Sequence, residues 1–566
     1  AVVMIFAAVS VSLGSMAALG IPFYVVTNAL PVILIGIAVA DTIHICSHFF
    51  HLQAAAPQRA RDELIVDTMR ALWLPVTVTS LTTAAGFFGL YLAADMPPFR
   101  YFGLFAALGV ATAWLYSLLA LPVLMSLLRM QVHQSVINQL RRGGQGALAR
   151  GMQRLGAGVQ RMPRAVVVVY IAVALLGAWG ASQLVVDDDR IRLFGENEPI
   201  VQADRAINTH FNGTSTLDIV IETGEPEGLF DPAVLQKMQA LQDYAESLPH
   251  VGGRSSIVDY RKQMNRVLNG GEREAYALPD SREMVAQYFL LYSFSADPAD
   301  FENEVDYDYR SANVRLTLDH GGYIQIRAVV EALDAYLATH FGDDVTATQS
   351  GRVRLNYFWI RNIGDSHLAG LLIALLLVWA LGSLSFRSTL AGVYTLVPVI
   401  ASILLVYAFM AGRGMTLGVG TSMFAAVAIG LGVDFAIHTI SRLRGLHHEN
   451  NRLEKNSQEN SGAAGESDMY TQFYTTTGRA LLLNVLAVSC GFGVLIASQV
   501  AQLADFGAIV MLSMGVSFLA SVTLLPALIM LRCPGFVTED VASRRRHLPR
   551  VGATVLRCRW RRPRSC

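Results

Sequence analysis

Gly36-Ile-Ala-Val-Ala-Asp41-Thr-Ile-His44-Ile-Cys-Ser47 returns 394 residues later as Gly430-Leu-Gly-Val-Asp434-Phe-Ala-Ile-His438-Thr-Ile-Ser441. Each stretch sits in an apolar run, and each carries one carboxylate and one histidine. Working outward, the correspondence continues in order. Gly86-Phe87 matches Gly491-Phe492, Phe102-Gly103 matches Phe506-Gly507, and Leu121-Pro122 matches Leu525-Pro526. Chance supplies one such match, but not an ordered series across about 120 residues. The chain therefore contains a duplicated unit, and the duplication falls on its most apolar parts.

The composition explains what those parts are. Only 16% of the residues are charged, against 53% hydrophobic, whereas a soluble domain usually carries about 25% charged residues. A helix needs about 20 apolar residues to cross roughly 30 Å of hydrocarbon. Such runs occur at 1–18, 24–49, 72–94, 99–128, 165–184, 367–386, 389–411, 416–441, 480–499 and 504–531. Lipid cannot satisfy backbone polar groups, so these ten runs are expected to be helices. The expected fold is an all-α membrane bundle of about ten helices in two pseudo-repeated halves, with one α+β domain outside the membrane. Lys+Arg and Asp+Glu are equal at 44 each, so net charge says nothing of partners. The five cysteines, at 46, 490, 533, 558 and 566, form no disulfide framework or metal-type spacing.

The distribution of charge orients the bundle. Residues 129–164 contain seven arginines and no acid, the loop 50–71 adds Arg59, Arg61 and Arg70, and ten arginines follow residue 531. All three segments share a side if every run crosses, and the positive-inside rule makes that side cytoplasmic. Each arginine cluster abuts an apolar span, which argues against nucleic acid as a partner. The expected layout is then as follows. Residues 1–130 are the later part of the first membrane repeat. A basic cytoplasmic linker covers 131–164, and a helix covers 165–184. An extracytoplasmic domain spans 185–366. The second repeat spans 367–531, with a polar linker-like loop at 443–478, and a basic tail covers 532–566. Symmetry with the second half implies a helix, a soluble insert and another helix ahead of Ala1.

The soluble insert alternates differently. Thr216–Thr223, Gly252–Tyr260, Asn313–Asp319 and Asp344–Ser350 read as strands, and Asp231–Leu248 and Gln325–Phe341 as helices, the first capped by Asp231-Pro232. Two β-α-β units of this kind predict a ferredoxin-like sandwich. Residues 261–308 are helical or irregular. His210, His250, His320 and His340 stand singly in this sequence, so no catalytic triad and no metal site is expected, and the protein is not expected to be an enzyme.

The chemistry therefore lies in the membrane. A carboxylate at a helix centre costs roughly 2.5–3.5 kcal/mol on insertion scales. Asp41 and Asp434 are the two acids deep in a span, nearly equivalent in the repeat, with no Lys or Arg deep enough to neutralise them. Two acids facing one another in a dry bundle are expected to share protons. His44 follows Asp41 by three residues and His438 follows Asp434 by four, so each shares its acid's helical face. They read either as a proton relay or as interfacial histidines. Thr79, Ser80, Thr82 and Thr83 on the next helix, and Asn484 and Ser489 on its counterpart, are candidates to hydrogen-bond the acids or simply to pack helices. Gly36, Gly86, Gly430, Gly432 and Gly491 read as helix-contact positions.

These features resemble the resistance-nodulation-division superfamily. The shared marks are an insert after the first helix of a half, the G-x-x-x-acid pattern in the fourth helix, and the short Phe386-Arg387-Ser388 turn. GLGVDFAIH is most similar to the branch of MmpL-type lipid exporters, hopanoid exporters and Patched-like proteins. The resemblance implies proton-coupled export of lipid-like substrates from a bacterial inner membrane, with protons as coupling ion, no cofactor, and a monomer or homo-oligomer among membrane lipids. It maps the family's relay acids onto Asp41 and Asp434. Two departures are visible: Ala40 where an acid is common, and Phe435 where Tyr or an acid is common. Two other classes fit the same helices: a non-transporting lipid sensor of the sterol-sensing kind, and an accessory factor for protein secretion.

Overall fold

The computed structural model describes residues 2–127, 146–189, 191, 194–295, 303–456 and 466–538. The chain divides into a membrane unit, Ala1–Leu184 with Asp365–Cys566, and a soluble unit, Val185–Gly364.

In chain order, the membrane unit begins with α1 (Val2–Ala18), α2 (Ala29–Ala55), α3 (Arg61–Ala93), α4 (Pro97–Leu127), α5 (Ala147–Arg161) and α6 (Pro163–Ser182). The soluble unit follows with α7 (Pro199–His210), β1 (Ser215–Glu222), α8 (Pro232–Glu246), β2 (Val251–Ser255), α9 (Ile257–Leu268), α10 (Arg282–Ser295), β3 (Ser311–Leu318), α11 (Tyr323–His340) and β4 (Thr346–Ser350). The helix α12 (Gly351–Phe386) contributes residues to both units. The membrane unit resumes with α13 (Thr389–Arg413), a one-turn helix at Val419–Ser422, α14 (Phe424–Asn456), α15 (Glu466–Phe473), α16 (Arg479–Gly493), α17 (Ala501–Val522) and α18 (Leu524–Arg532).

Among the described residues, nine helical stretches are long and apolar enough to cross a bilayer. The tenth expected span is the shorter apolar helix Val2–Ala18, 17 residues. Several helices outrun their apolar windows. α3 begins at Arg61, eleven residues before its apolar run, because Asp62 and Glu63 in its first turn favour the positive end of the helix dipole. The expected linkers also contain helix. In 131–164 lies α5, whose buried Ala149, Met152, Gly156 and Val159 form one face opposite its arginines. In 443–478, α14 continues unbroken to Asn456, and α15 leads into a π-helical turn at Tyr474–Gly478. Residues 131–145 and 457–465, and the tail beyond Thr538, lie outside the described residues.

The halves interlock reciprocally: α2 packs on α16, and α3 packs on α14. Since α14 is the repeat equivalent of α2 and α16 that of α3, this is the two-fold pattern of a self-complementary interface.

The soluble unit contains one antiparallel sheet, in the order β2-β3-β1-β4. With α8 after β1 and α11 after β3, this is the β-α-β-β-α-β order of a ferredoxin-like fold. Every second residue of β1 and β3 is buried: Leu217, Ile219 and Ile221 on one strand, Ala312, Val314, Leu316 and Leu318 on the other. Leu235, Met238 and Leu241 from α8 and Ile326, Val329, Val330 and Leu333 from α11 close over that face. Asp231 caps α8 as its sequence implies, accepting from the Ala233 amide at 2.8 Å.

One expected strand is shorter. Residues 252–260 begin as β2 but turn helical at Ile257, because Ser256 and Asp259 form a capping box: Val258 N donates to Ser256 Oγ and Ser256 N to Asp259 Oδ2. The middle segment, undefined in the sequence, supplies α9 and α10. There Arg261 is wholly buried, with its guanidinium 3.2 Å from the Phe289 ring centroid, so an aromatic face receives it.

Leu316 is fully buried at the centre of this sheet. Leu316→Ala is expected to cost about 2–5 kcal/mol. Limited proteolysis of the detergent-solubilised protein should then cut within 185–364 faster than in the parent. An unchanged rate there would refute this account of the core.

Candidate functional site: paired acids between the membrane repeats

Asp41 lies midway along α2 and Asp434 lies in the first third of α14. Asp41 is buried and Asp434 half-buried. The two are close enough for their charges to interact. α2 contains no Lys or Arg, and the first in α14 is Arg442, two turns beyond Asp434. One turn along each helix the histidines meet. The His44 and His438 rings stack with centroids 4.4 Å apart and an interplanar angle of 21°. The spacings of three and four residues thus do what helical geometry requires: acid and imidazole share a face on each helix, and the two faces converge.

The surrounding polar residues divide by what they touch. The Thr83 hydroxyl donates to the Gly430 carbonyl at 2.8 Å and reaches Asp434 Oδ1 at 3.5 Å, the limit of a hydrogen bond. Ser80 lies beside Asp41, as does Ser117 of α4. Neither hydroxyl makes a hydrogen bond of ordinary geometry, and Asp41 Oδ2 is likewise unpartnered. Thr79 and Thr82 turn their hydroxyls back onto their own helix, to the carbonyls of Pro75 and Val76 and of Val78 and Thr79. Asn484 of α16 places its amide nitrogen 3.3 Å from His44 Nε2. Ser489 is five residues further on, about 140° round the helix from Asn484, and is half-buried on another face.

Of the ten residues singled out in the sequence, the structure thus gathers seven: Asp41, His44, Ser80, Thr83, Asp434, His438 and Asn484. Thr79, Thr82 and Ser489 are not part of the cluster's contacts. Two residues escaped the sequence reading. Ser117 is one of two serines in an apolar helix, with no pattern to mark it. His367 of α12 bonds the Tyr407 hydroxyl and the Ser422 carbonyl, each at 2.7 Å, and only its place at the head of an apolar run hinted at it. Of the glycines, Gly86 and Gly430 do form a close crossing, with the Gly86 Cβ position 3.2 Å from Gly430 Cα. Gly491 faces open space, so the contact expected of it is absent.

Chemically the cluster can hold protons. Charging both acids without a cation in a low-dielectric bundle is unfavourable. Polar atoms without fixed partners around Asp41 can serve a carboxyl in either protonation state. The histidine stack leads along both helices to His48, which lies near His51 and Arg442. Thr83→Val tests the least ambiguous contact. It should destabilise the α3–α14 pair by about 0.6 kcal/mol, and by no more than roughly 1.7, read as a modest shift in unfolding by denaturing detergent. A loss of several kcal/mol would show that Thr83 holds more than this one crossing.

Duplicated helices, an inserted α+β domain and a shared acid pair define a multi-pass membrane protein of the transporter or sterol-sensing kind. Comparison with known families agrees: the MMPL family model matches residues 325–565 and the Patched SSD model residues 1–127. The later part of the chain is thus similar to the MMPL family and its earliest part to the Patched family. The chain is also similar to a protein of Methanocaldococcus jannaschii described as a membrane protein, 21% identical over 348 residues, which cover 60% of this chain and 83% of that relative.

Proposed function

We propose that this protein is a proton-driven exporter of hydrophobic, lipid-like molecules in a bacterial inner membrane, with its soluble unit extracytoplasmic and its arginine-rich segments cytoplasmic. The observation that carries the reading is the acid pair: Asp41 and Asp434, one from each repeat, on helices whose histidines stack 4.4 Å apart one turn further on, and without a cationic partner in their helices. A pair of this kind loads a proton from one side and unloads it to the other when the two repeats move against each other. The membrane potential contributes about 2.3 kcal/mol per charge per 100 mV. The histidine stack supplies a route to the acids. Protons are the coupling ion, no organic cofactor is needed, and the partners are membrane lipids, the hydrophobic substrate and further copies of the chain.

The match of residues 1–127 to a Patched SSD model favours a second reading, a lipid sensor that uses the same helices without transport. Reconstitution separates the two. In liposomes with a trapped pH indicator and an imposed pH gradient, an exporter dissipates the gradient when lipid substrate is present, and its transport stops when a protonophore is added. A protein that binds lipid with no protein-dependent proton flux would overturn the exporter reading.

A further inference from the structure

We propose that the soluble unit carries a binding site for a divalent transition ion of the zinc class, formed by His250, Asp319 and His320. The sheet register builds it. β2 begins at Val251 and β3 ends at Leu318, and these two residues are paired across the ladder. The residue before one strand and the residue after the other are therefore neighbours, and the Asp319 amide donates to the His250 carbonyl at 3.1 Å. His320 follows directly. Residues some 70 positions apart thus converge at one corner of the sheet.

Their ring nitrogens converge as well. His250 Nδ1 is 3.1 Å and His320 Nδ1 2.8 Å from the same oxygen, Asp319 Oδ1. The two rings lie 5.0 Å apart, and one ligand atom from each residue falls within 4.8 Å of the others. Bonds of about 2.0–2.2 Å from zinc to nitrogen and oxygen place tetrahedral ligands roughly 3.4 Å apart. Lengthening by about half an ångström brings both nitrogen–oxygen distances to that spacing, and the side chains are partly exposed and free to adjust. Two imidazoles and a carboxylate are one of the donor sets that zinc takes when it has three protein ligands. The other histidines of this unit differ. His340 stacks on Tyr336 and bonds that residue's carbonyl.

An ion at this corner joins two elements. It ties the edge strand β2 to the end of β3, two glycines ahead of the start of α11 at Tyr323. Asp319 and His320 also line a cavity of about 660 Å³ together with Asp189, Asp204 and Asn208. The fourth coordination position remains for water or for a ligand held in that cavity. This site is independent of the acid pair and does not rest on the export reading.

The test uses the full-length protein in detergent, without a polyhistidine tag, stripped with chelator. Zn2+ titrated by calorimetry, and Co2+ followed by its visible absorption, should each saturate at one ion per chain. His250→Gln and His320→Gln, which keep side-chain size and polarity, should each weaken binding at least tenfold, while His210→Gln should leave it unchanged. Absence of saturable binding by the parent protein, or binding unaltered in both site variants, would overturn the proposal.

Discussion

Asp41→Asn and Asp434→Asn should each abolish gradient-driven transport and leave a folded protein in the membrane. Asparagine keeps the shape of the side chain and its hydrogen-bonding capacity, but it cannot take up and release a proton in the accessible range. Removing one positioned proton-transfer group commonly costs 10²–10⁴-fold, and a fall of at least about 100-fold in substrate-driven proton flux is expected for each variant. Insertion should not suffer, since an ionised aspartate at a helix centre costs roughly 2.5–3.5 kcal/mol on insertion scales and the amide carries no charge. The double variant should be no worse than either single one, because residues acting as a unit are not additive. Near-normal flux in both single variants would refute the acid pair as the coupling element. A purely structural role for these carboxyls would instead appear as altered unfolding in denaturing detergent with flux retained.

The acid pair was legible in the sequence because three signals coincide in it: charge in an apolar run, repetition, and helical spacing to a histidine. Apolarity also located the membrane helices, but not their ends. The first ten residues of α3, Arg61–Arg70, are helical through propensity and packing outside the apolar window, where hydropathy is blind. β2 shows how a local rule wins over a pattern: 252–260 has strand-like composition, yet the Ser256–Asp259 capping box begins a helix at Ile257. Ser117 and the His250–Asp319–His320 corner were invisible for another reason. Each depends on contacts between positions far apart in the chain, and neither has a periodicity to betray it. The threonines mark the opposite limit. Thr79, Thr82 and Thr83 look alike in sequence, and only the packing of α3 on α14 decides that Thr83 reaches the other repeat while its neighbours bond their own helix.

The same asymmetry separates the two helix crossings, α3 on α14 and α16 on α2, that the repeat relates. A Cβ at Gly430 would stand 3.2 Å from the Thr83 carbonyl oxygen and 3.3 Å from Thr83 Cγ2, whereas a Cβ at Gly491, the counterpart of Gly86, meets nothing within 4 Å. Gly430→Ala asks the neighbours to yield by a few tenths of an ångström and should preserve most activity. Gly430→Leu cannot be accommodated without driving α3 away from α14. That movement breaks the Thr83–Gly430 hydrogen bond and shifts Asp434 relative to Asp41. Overpacking of this kind costs about 1–3 kcal/mol, which a multi-pass protein survives. The functional loss should be larger, because a displacement of about 1 Å at a reacting group costs on the order of 10²-fold. Flux assays on Gly430→Leu and Gly491→Leu should therefore diverge by roughly that factor, with both proteins eluting as folded species. Equal damage at the two positions would mean that the duplicated halves pack alike, and that the close crossing at Gly86 and Gly430 has no special part in holding the acids together.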